Sequence, residues 1–573
     1  MKPLRIATAL TTLSLLLSGC GVLPWSLTAQ VPEEGAIQQG DASAANRTDQ
    51  FIRVIPQSPR EGMSPAQIVQ GFLDASAAFE DDHAVAREFL TLKAGNLWNP
   101  NAGVQVFKGA PDLVDDGAVV SFAAPLAGEI SKRGTYEIAG PNAELNAEFT
   151  LEKEDEQWRI SQLPQGLELS TVDVARAFRA LSVYYFNPQF STLVPDARMI
   201  PVPGNGVATG LMRALLDGPD PWLAPAVKTA FPLGVGLNFD FVGVNSGVAK
   251  VDLTADALFA NDGARLQMAQ QIVWTLRQLP DVSAVSITSG GQLLTIAGVP
   301  YPIPRDEWPL IDPSGLEPGA EAIFANGVGV AKLSDGKDQQ VVGYPTTANS
   351  AFTQVVVNRS GGMLSGVDAL GRVWSALIEA NTTWSQLPIT RAIQWLEFDA
   401  TGGLWVWDPS NGLAAWDAPG PIKSISVTGL PNGASLVKAV PSRDGTRVAL
   451  ILRRSGTNAV YLARIQQNVE SDARVISGVR AFAPQASGVL DVDWSSANSL
   501  AFIGRSDNGD VQAFDLDLAS GALTPQGGPE DPQSIAAAPG LPVLIDAANG
   551  IIYQLDAGTW TIRAPGRSPS YPS

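Results

Sequence analysis

The chain has 573 residues, with 38 Lys and Arg against 57 Asp and Glu, a formal charge of −19, one Cys and one His. That length exceeds one ordinary domain and sets an expectation of three or four, and a hydrophobic content of 45% excludes a disordered chain. One Cys closes no internal disulfide and builds no Cys-x-x-Cys site, one His excludes metal centres that need two imidazoles, and the acidic balance argues against a nucleic-acid partner.

Lys2 and Arg5 precede a short apolar run, Ile6 to Leu17, and the order Leu17-Ser18-Gly19-Cys20 follows. The run is too short to span a bilayer and reads as a signal-peptide core. Leu-Ser-Gly-Cys resembles a bacterial lipobox, which implies diacylglycerol on the Cys20 thiol and cleavage before it. Cys20 is the only Cys in the chain and the only residue singled out for function. Residues 1–19 are therefore expected to be a lipoprotein signal peptide. Cleavage would remove Lys2 and Arg5 and take the charge from −19 to −21. The expected location is the extracytoplasmic face of the cell membrane, held by lipid at Cys20. Residues 20–57 read as the lipidated Cys and a flexible tether, aperiodic and rich in Gln, Gly, Ala and Ser from Glu33 to Asn46.

Residues 58–168 read as an α+β domain. Ser64-Pro65 is a helix start, and Ile68, Val69, Phe72, Leu73, Ala77 and Phe79 give a helical stripe. A short helix is expected over 82–90. Period-two runs then place strands at 104–107, 118–122, 143–151 and 157–160. Helices followed by a meander resemble the NTF2-like fold. Residues 171–302 read as a second α+β domain, with strands at 183–186, from 193, at 237–242, 248–253 and 285–287, and helices at 209–216 and 264–279. Leu215-Leu216-Asp217-Gly218-Pro219, Phe231-Pro232, Val251-Asp252-Leu253 and Thr275 to Val282 together resemble a GerM-type (GerMN) domain. Pro300, Pro302, Pro304, Pro309 and Pro313 make a stiff linker, set at 303–317. Over 318–573 the helical period disappears. Units such as Phe398 to Trp407, Pro441 to Leu450 and Asp493 to Phe502 recur every 40 to 50 residues, a spacing that suits a β-propeller of five or six blades.

No constellation of catalytic, cofactor-binding or metal-binding residues emerges. His83 lacks a positioned partner and reads as solvated or capping. Gly243 to Gly247 reads as a hairpin turn, and the acidic run around Lys153 as a solvated hairpin tip. Asp515 and Asp517 share a strand face, which suits either solvent or a paired-carboxylate glycosidase. Nine of fourteen Trp fall from Trp308 onward, and Trp405 and Trp407 share a face; core packing is the expectation, an exposed binding rim the alternative.

Lipobox, NTF2-like region, GerM-type domain and C-terminal propeller, in that order, resemble the LpqB lipoprotein family of actinobacteria. The stretches Val183 to Arg198 and Thr275 to Ile287 carry most of the match. The resemblance implies a non-enzymatic partner of a two-component system, binding the extracellular domain of an MtrB-like sensor histidine kinase and modulating cell-envelope homeostasis and division. The alternatives are an envelope-glycan binder or sensor and, third, a propeller hydrolase built on carboxylates that converge at the central channel.

Overall fold

The computed structural model describes residues 56–573 except 203–205, 335–337, 347–350, 380–381, 390–391, 468–472 and 483–485. Cys20, the signal segment and nearly all of the tether lie outside the described residues.

The first α+β region starts as its sequence dictates. Ser64 caps the helix Pro65–Ser76 with a reciprocal Ser64–Gln67 box, and Pro65 occupies the first turn. Ile68, Val69, Phe72 and Leu73 bury against a sheet ordered Gln157–Gln162, Glu144–Glu154, Val119–Ser131, Gly103–Phe107, Leu167–Ser170, in which the last two strands run parallel. The helix expected over 82–90 is shorter, Ala84–Arg87. Asp81, Asp82 and His83 all take left-handed backbone angles and break its start. Thr91 caps a further helix, Leu92–Leu97, that hydrophobic periodicity did not reveal.

The second region pairs the hairpin Phe178–Phe186 and Leu193–Pro201 with helices Val207–Leu216 and Asp262–Leu276. These pack on the parallel strands Val248–Leu253 and Ala284–Ser289. Three expectations change here. Residues 237–242 are not a strand; only an isolated bridge joins Leu237 to Leu253, and Phe239 and Phe241 face solvent. Val174, Ala177 and Phe178 bury in the first region's core, so the first two domains share apolar packing across 168–178. The proline-rich segment is not a free linker at its start: Ile303–Pro304 pairs with Ala284–Val285, and Trp308 packs on the second core.

The remainder forms six antiparallel sheets, four or five strands each, with one added parallel strand. Their first strands, Phe352–Val357, Trp395–Phe398, Ser435–Pro441, Ser487–Ser496, Pro532–Ala536 and Arg567–Ser570, neighbour one another in a closed ring. Arg567–Ser570 closes it by adding to Ile323–Ala325, so the end of the chain completes the sheet opened near residue 323. The repeat has a physical cause. In Asp399-x-x-Gly402-x-x-Trp405, one carboxylate oxygen accepts the Thr401 and Gly403 amides, and the other accepts the Trp405 indole N–H at 2.9 Å. Asp368, Gly371 and Trp374 repeat the arrangement one sheet earlier.

The first two regions meet at one buried charge, and the third docks beside it. Arg198, 1% exposed, forks onto Asp196 at 2.8 and 2.7 Å. It also donates to the Thr135 hydroxyl of the first region at 3.0 Å, and that hydroxyl donates to Asp220 at 2.7 Å. The Asp220 amide closes the loop onto Asp196. Two residues further on, Trp222 reaches the propeller-like part. Its indole N–H donates to the Gly478 carbonyl at 2.6 Å, and the Arg480 guanidinium lies 3.9 Å from the ring centroid. Asn498 donates to Ser182 at 2.7 Å. Gly521, at φ 68°, abuts Ile138 of the first region so closely that a Cβ there would sit 2.6 Å from that side chain.

Replacing one member of such a network strands the others. Arg198→Met leaves buried Asp196 and half-buried Asp220 without their cation and is expected to cost about 3–5 kcal/mol in urea unfolding. An unchanged urea midpoint would contradict the network's structural role.

Candidate functional site: the axial cup and an exposed aromatic patch

The ring of first strands encloses a cavity of about 550 Å³. It is lined by residues of those strands and beside them, including Gln354, Gln394, Glu397, Lys438, Asp491, Asp493, Gln533, Ser534, Asp546 and Arg567. Its far end is filled. Arg443, buried, donates twice to the Pro572 carbonyl at 2.9 and 3.2 Å and once to the Trp494 carbonyl. Ser573 donates to Glu397 at 3.0 Å. The cavity is therefore a cup. The junction with the second region lies at the filled end, through the bond from Asn498 to Ser182, beside the turn that Arg447 holds at Ala497 and Asn498, so the mouth faces away from it.

The charges inside differ in how well they are matched. Lys438 donates to Asp491 and is held above its usual range by that carboxylate and by Glu397 against the opposing effect of burial. Asp491 also takes the Ile535 and Val492 amides. Asp493 takes the Trp494 and Ala537 amides, one on each oxygen, at 2.7 and 2.8 Å. Asp546 accepts from the Ser534 hydroxyl and amide. Glu397 stands apart: one oxygen accepts from Ser573 and Phe398, and the other has no partner among the described residues. Enclosure pushes its carboxyl up to about 7.

A second feature lies on the second region. The loop 231–241, the 3-10 turn Ala255–Phe259 and the turn at Gly290-Gly291 surround residues 253–255. Asn238 and Thr254 form backbone bonds to Asp252 and Gly236, and Gly290 to Leu253. These loops display Leu233, Phe239, Phe241, Phe259 and Leu293 to solvent; Phe259 is 87% exposed and Phe239 69%. Exposed Asp240, Asp256 and Asp262 stand among them, Asp240 forked by Arg213 at 2.6 Å and Asp262 lying 3.9 Å from Arg265.

Several sequence candidates find other places. His83 is neither solvated nor an N-cap donor; it is 5% exposed, packs beside Phe79 and Trp98, and burial lowers its pKa. Asp515 accepts from Ser495, and Asp517 caps the 517–520 turn; neither lines the cup. Ser246-Gly247 and Asp155-Glu156 are the tight turns of hairpins. Trp374, Trp395, Trp405 and Trp494 bury between neighbouring sheets, and none of the nine later Trp is fully exposed. Cys20 lies outside the described residues, and among those residues no helix is long and apolar enough to cross a membrane. The patch escaped the sequence reading, and the carboxylates expected at a central channel in the third alternative were given no residue numbers. Carboxylates on strands read as solvated, and Leu237, Phe239 and Phe241 alternate as a buried strand would.

The architecture defines a multidomain protein: an N-terminal α+β region, a GerMN domain and C-terminal β-propeller-like sheets. Three family profiles match in the same order: "Lipoprotein LpqB, N-terminal domain" at 58–175, "Sporulation and spore germination" at 182–295, and "Lipoprotein LpqB beta-propeller domain" at 329–572. A lipoprotein LpqB of Thermobifida fusca is 29% identical, with 99% of each chain covered, and one of Streptomyces avermitilis is 26% identical, with 97% of each covered. The chain belongs to the LpqB lipoprotein family. Among solved structures, TolB from Acinetobacter baumannii is similar at 12% identity over 44% of this chain and 66% of that one, with a TM-score of 0.34. The tandem GerMN domains of Bacillus subtilis GerM are similar at 23% identity over 21% and 42%, with a TM-score of 0.18.

Two buried carboxyls set a pH dependence. Glu397 and Glu168, the latter 4% exposed, are both raised from 4.5 to about 7, chiefly by burial. In that window the folded chain holds protons that the unfolded chain has released, so each group's contribution is full below about pH 4.5 and is lost as pH rises through about 7. Glu168→Gln is expected to raise stability by about 1–3 kcal/mol at about pH 8 relative to its effect at about pH 5. Urea midpoints at the two pH values measure this; an equal effect at both would contradict it.

Proposed function

We propose that this protein is a lipid-anchored, extracytoplasmic regulator without enzymatic activity, which binds the extracellular domain of a sensor histidine kinase of the MtrB type and shifts it between signalling states. The division expected at 20–57, 58–168, 171–302, 303–317 and 318–573 serves this reading. A tether leads from the lipid at Cys20 to an NTF2-like and a GerM-type domain, and a propeller of six blades completes the body. Anchoring concentrates the protein beside a membrane partner.

The observation that carries the reading is the aromatic patch. Exposed clustered apolar groups with a polar rim mark contact surfaces, and aromatics supply most of the affinity at their centre. Phe239, Phe241 and Phe259, with Asp256 exposed beside them and Asp240 held by Arg213, suit a partner surface with an apolar centre.

The hydrolase reading is disfavoured. It requires an acid and a second carboxylate both open to substrate. Asp491 and Asp493 spend their oxygens on Lys438 and on backbone amides, and Asp546 accepts twice from Ser534 on one oxygen, which leaves no pair of unengaged carboxylates in the cup. An exposed indole platform for glycan is not formed by the later Trp residues either.

Two measurements test the proposal. Calorimetric titration of the mature chain against the ectodomain of the neighbouring kinase is expected to saturate. The double change Phe239→Ser and Phe241→Ser is expected to weaken binding about tenfold or more with the melting profile retained. Absence of saturable binding, or an unchanged affinity in the double variant, would contradict the proposed contact. Cys20→Ala is expected to move the protein from the membrane to the soluble fraction, and retention in the membrane would overturn lipid anchoring.

A further inference from the structure

We propose that the axial cup is a binding site for a small ligand that carries a primary ammonium. This inference concerns the propeller-like sheets and stands independently of the kinase contact.

Shape comes first. A cavity of about 550 Å³ falls within the range of small-molecule sites, about 300–1,000 Å³. Arg443, Pro572 and Ser573 fill one end, so a ligand enters and leaves by the mouth, and a chain cannot thread through. The mouth is ringed by hydrogen-bonding groups on strand starts, with Gln394 and Arg567 exposed and Gln533 and Ser534 beside them.

Charge then selects the ligand. Four carboxylates, Glu397, Asp491, Asp493 and Asp546, face the cup against Lys438 and Arg567. Lys438 is engaged by Asp491. Arg443 lies beneath and donates to carbonyls only. Arg567 sits at the solvent-exposed rim. The deep wall therefore presents Glu397 and Asp493, which feel Lys438 and Arg443 at a distance but are hydrogen-bonded to neither, and Glu397 keeps an oxygen open. An anion is repelled from such a wall. A neutral ligand leaves its charge unmatched. An ammonium offers three donors and one positive charge, and it satisfies the free oxygen directly. A metal ion is a poorer fit, because no group of three candidate ligands converges among the described residues.

The test is a calorimetric titration of the mature full-length chain in detergent with glucosamine and with putrescine. N-acetylglucosamine and 1,4-butanediol serve as uncharged counterparts. Both ammonium probes are expected to saturate at millimolar concentration or below, and their counterparts to bind at least about tenfold more weakly. Glu397→Gln is expected to reduce ammonium binding by about tenfold or more. Gln394→Trp, at the exposed rim, is expected to block entry without altering the buried charges. The Phe239 and Phe241 changes that test the kinase contact are expected to leave these titrations unchanged. Equal binding of charged and uncharged probes, no binding of either ammonium probe, or full affinity in both the Glu397 and Gln394 variants would overturn the proposal.

Discussion

One buried guanidinium holds this molecule in register. Arg198 lies where the first two regions meet, and it is tolerable there only because Asp196, Asp220 and Thr135 satisfy it together. Burial pushes the Asp196 carboxyl up while Arg198 pulls it back. Neither group is stable in that position without the other. Thr135 belongs to the first region and the two carboxylates to the second, so the network exists only when those regions are docked. Trp222 extends the same docking to the propeller-like sheets through Gly478, Arg464 and Arg480. The consequence is a single body in which the cup mouth and the aromatic patch keep a fixed relation.

That arrangement divides labour in a way the separate parts do not suggest. The filled end of the cup is also the end that receives the second region, so docking and closure use neighbouring residues. Arg443 holds Pro572 from within, while Arg447, four residues on, pairs with Asp444 and bonds Ala497 and Asn498 at the junction. The open end is left to solvent. A ligand in the cup and a protein on the patch would thus touch opposite parts of one rigid frame. Such a frame couples two sites only where each ligand binds its states unequally.

The sequence made the order of regions and most of their elements legible, because those follow from local rules. Ser64 and Asn261 cap helices as their types demand, and the Asp-x-x-Gly-x-x-Trp repeat marks turns whose carboxylates bind the following indole. What escaped it depends on assembly. Leu237, Phe239 and Phe241 alternate like a core strand, yet the loop turns them outward, and period two carries no sign of which side is wet. Arg198 sits in a stretch whose family likeness was plain, but its burial needs Thr135, sixty-three residues away. Glu397, Lys438 and Asp493 come from three different sheets and meet only because the ring closes. His83 misled for a related reason: an acidic run before it suggested solvent, while the left-handed backbone over 81–83 turns its ring onto Phe79 and Trp98.

The most direct test of the single rigid body is a distance distribution between spin labels. With Cys20→Ser in place, Asp262→Cys on the second region and Asp507→Cys on the propeller-like part offer two exposed attachment points. A docked frame predicts one narrow distance distribution, which broadens when Trp222→Ala removes the anchoring indole. A broad distribution in the chain with Trp222 intact would contradict the account, because the second region and the propeller-like sheets would then move freely and the contacts of Trp222 with Gly478 and Arg464 would not be holding them.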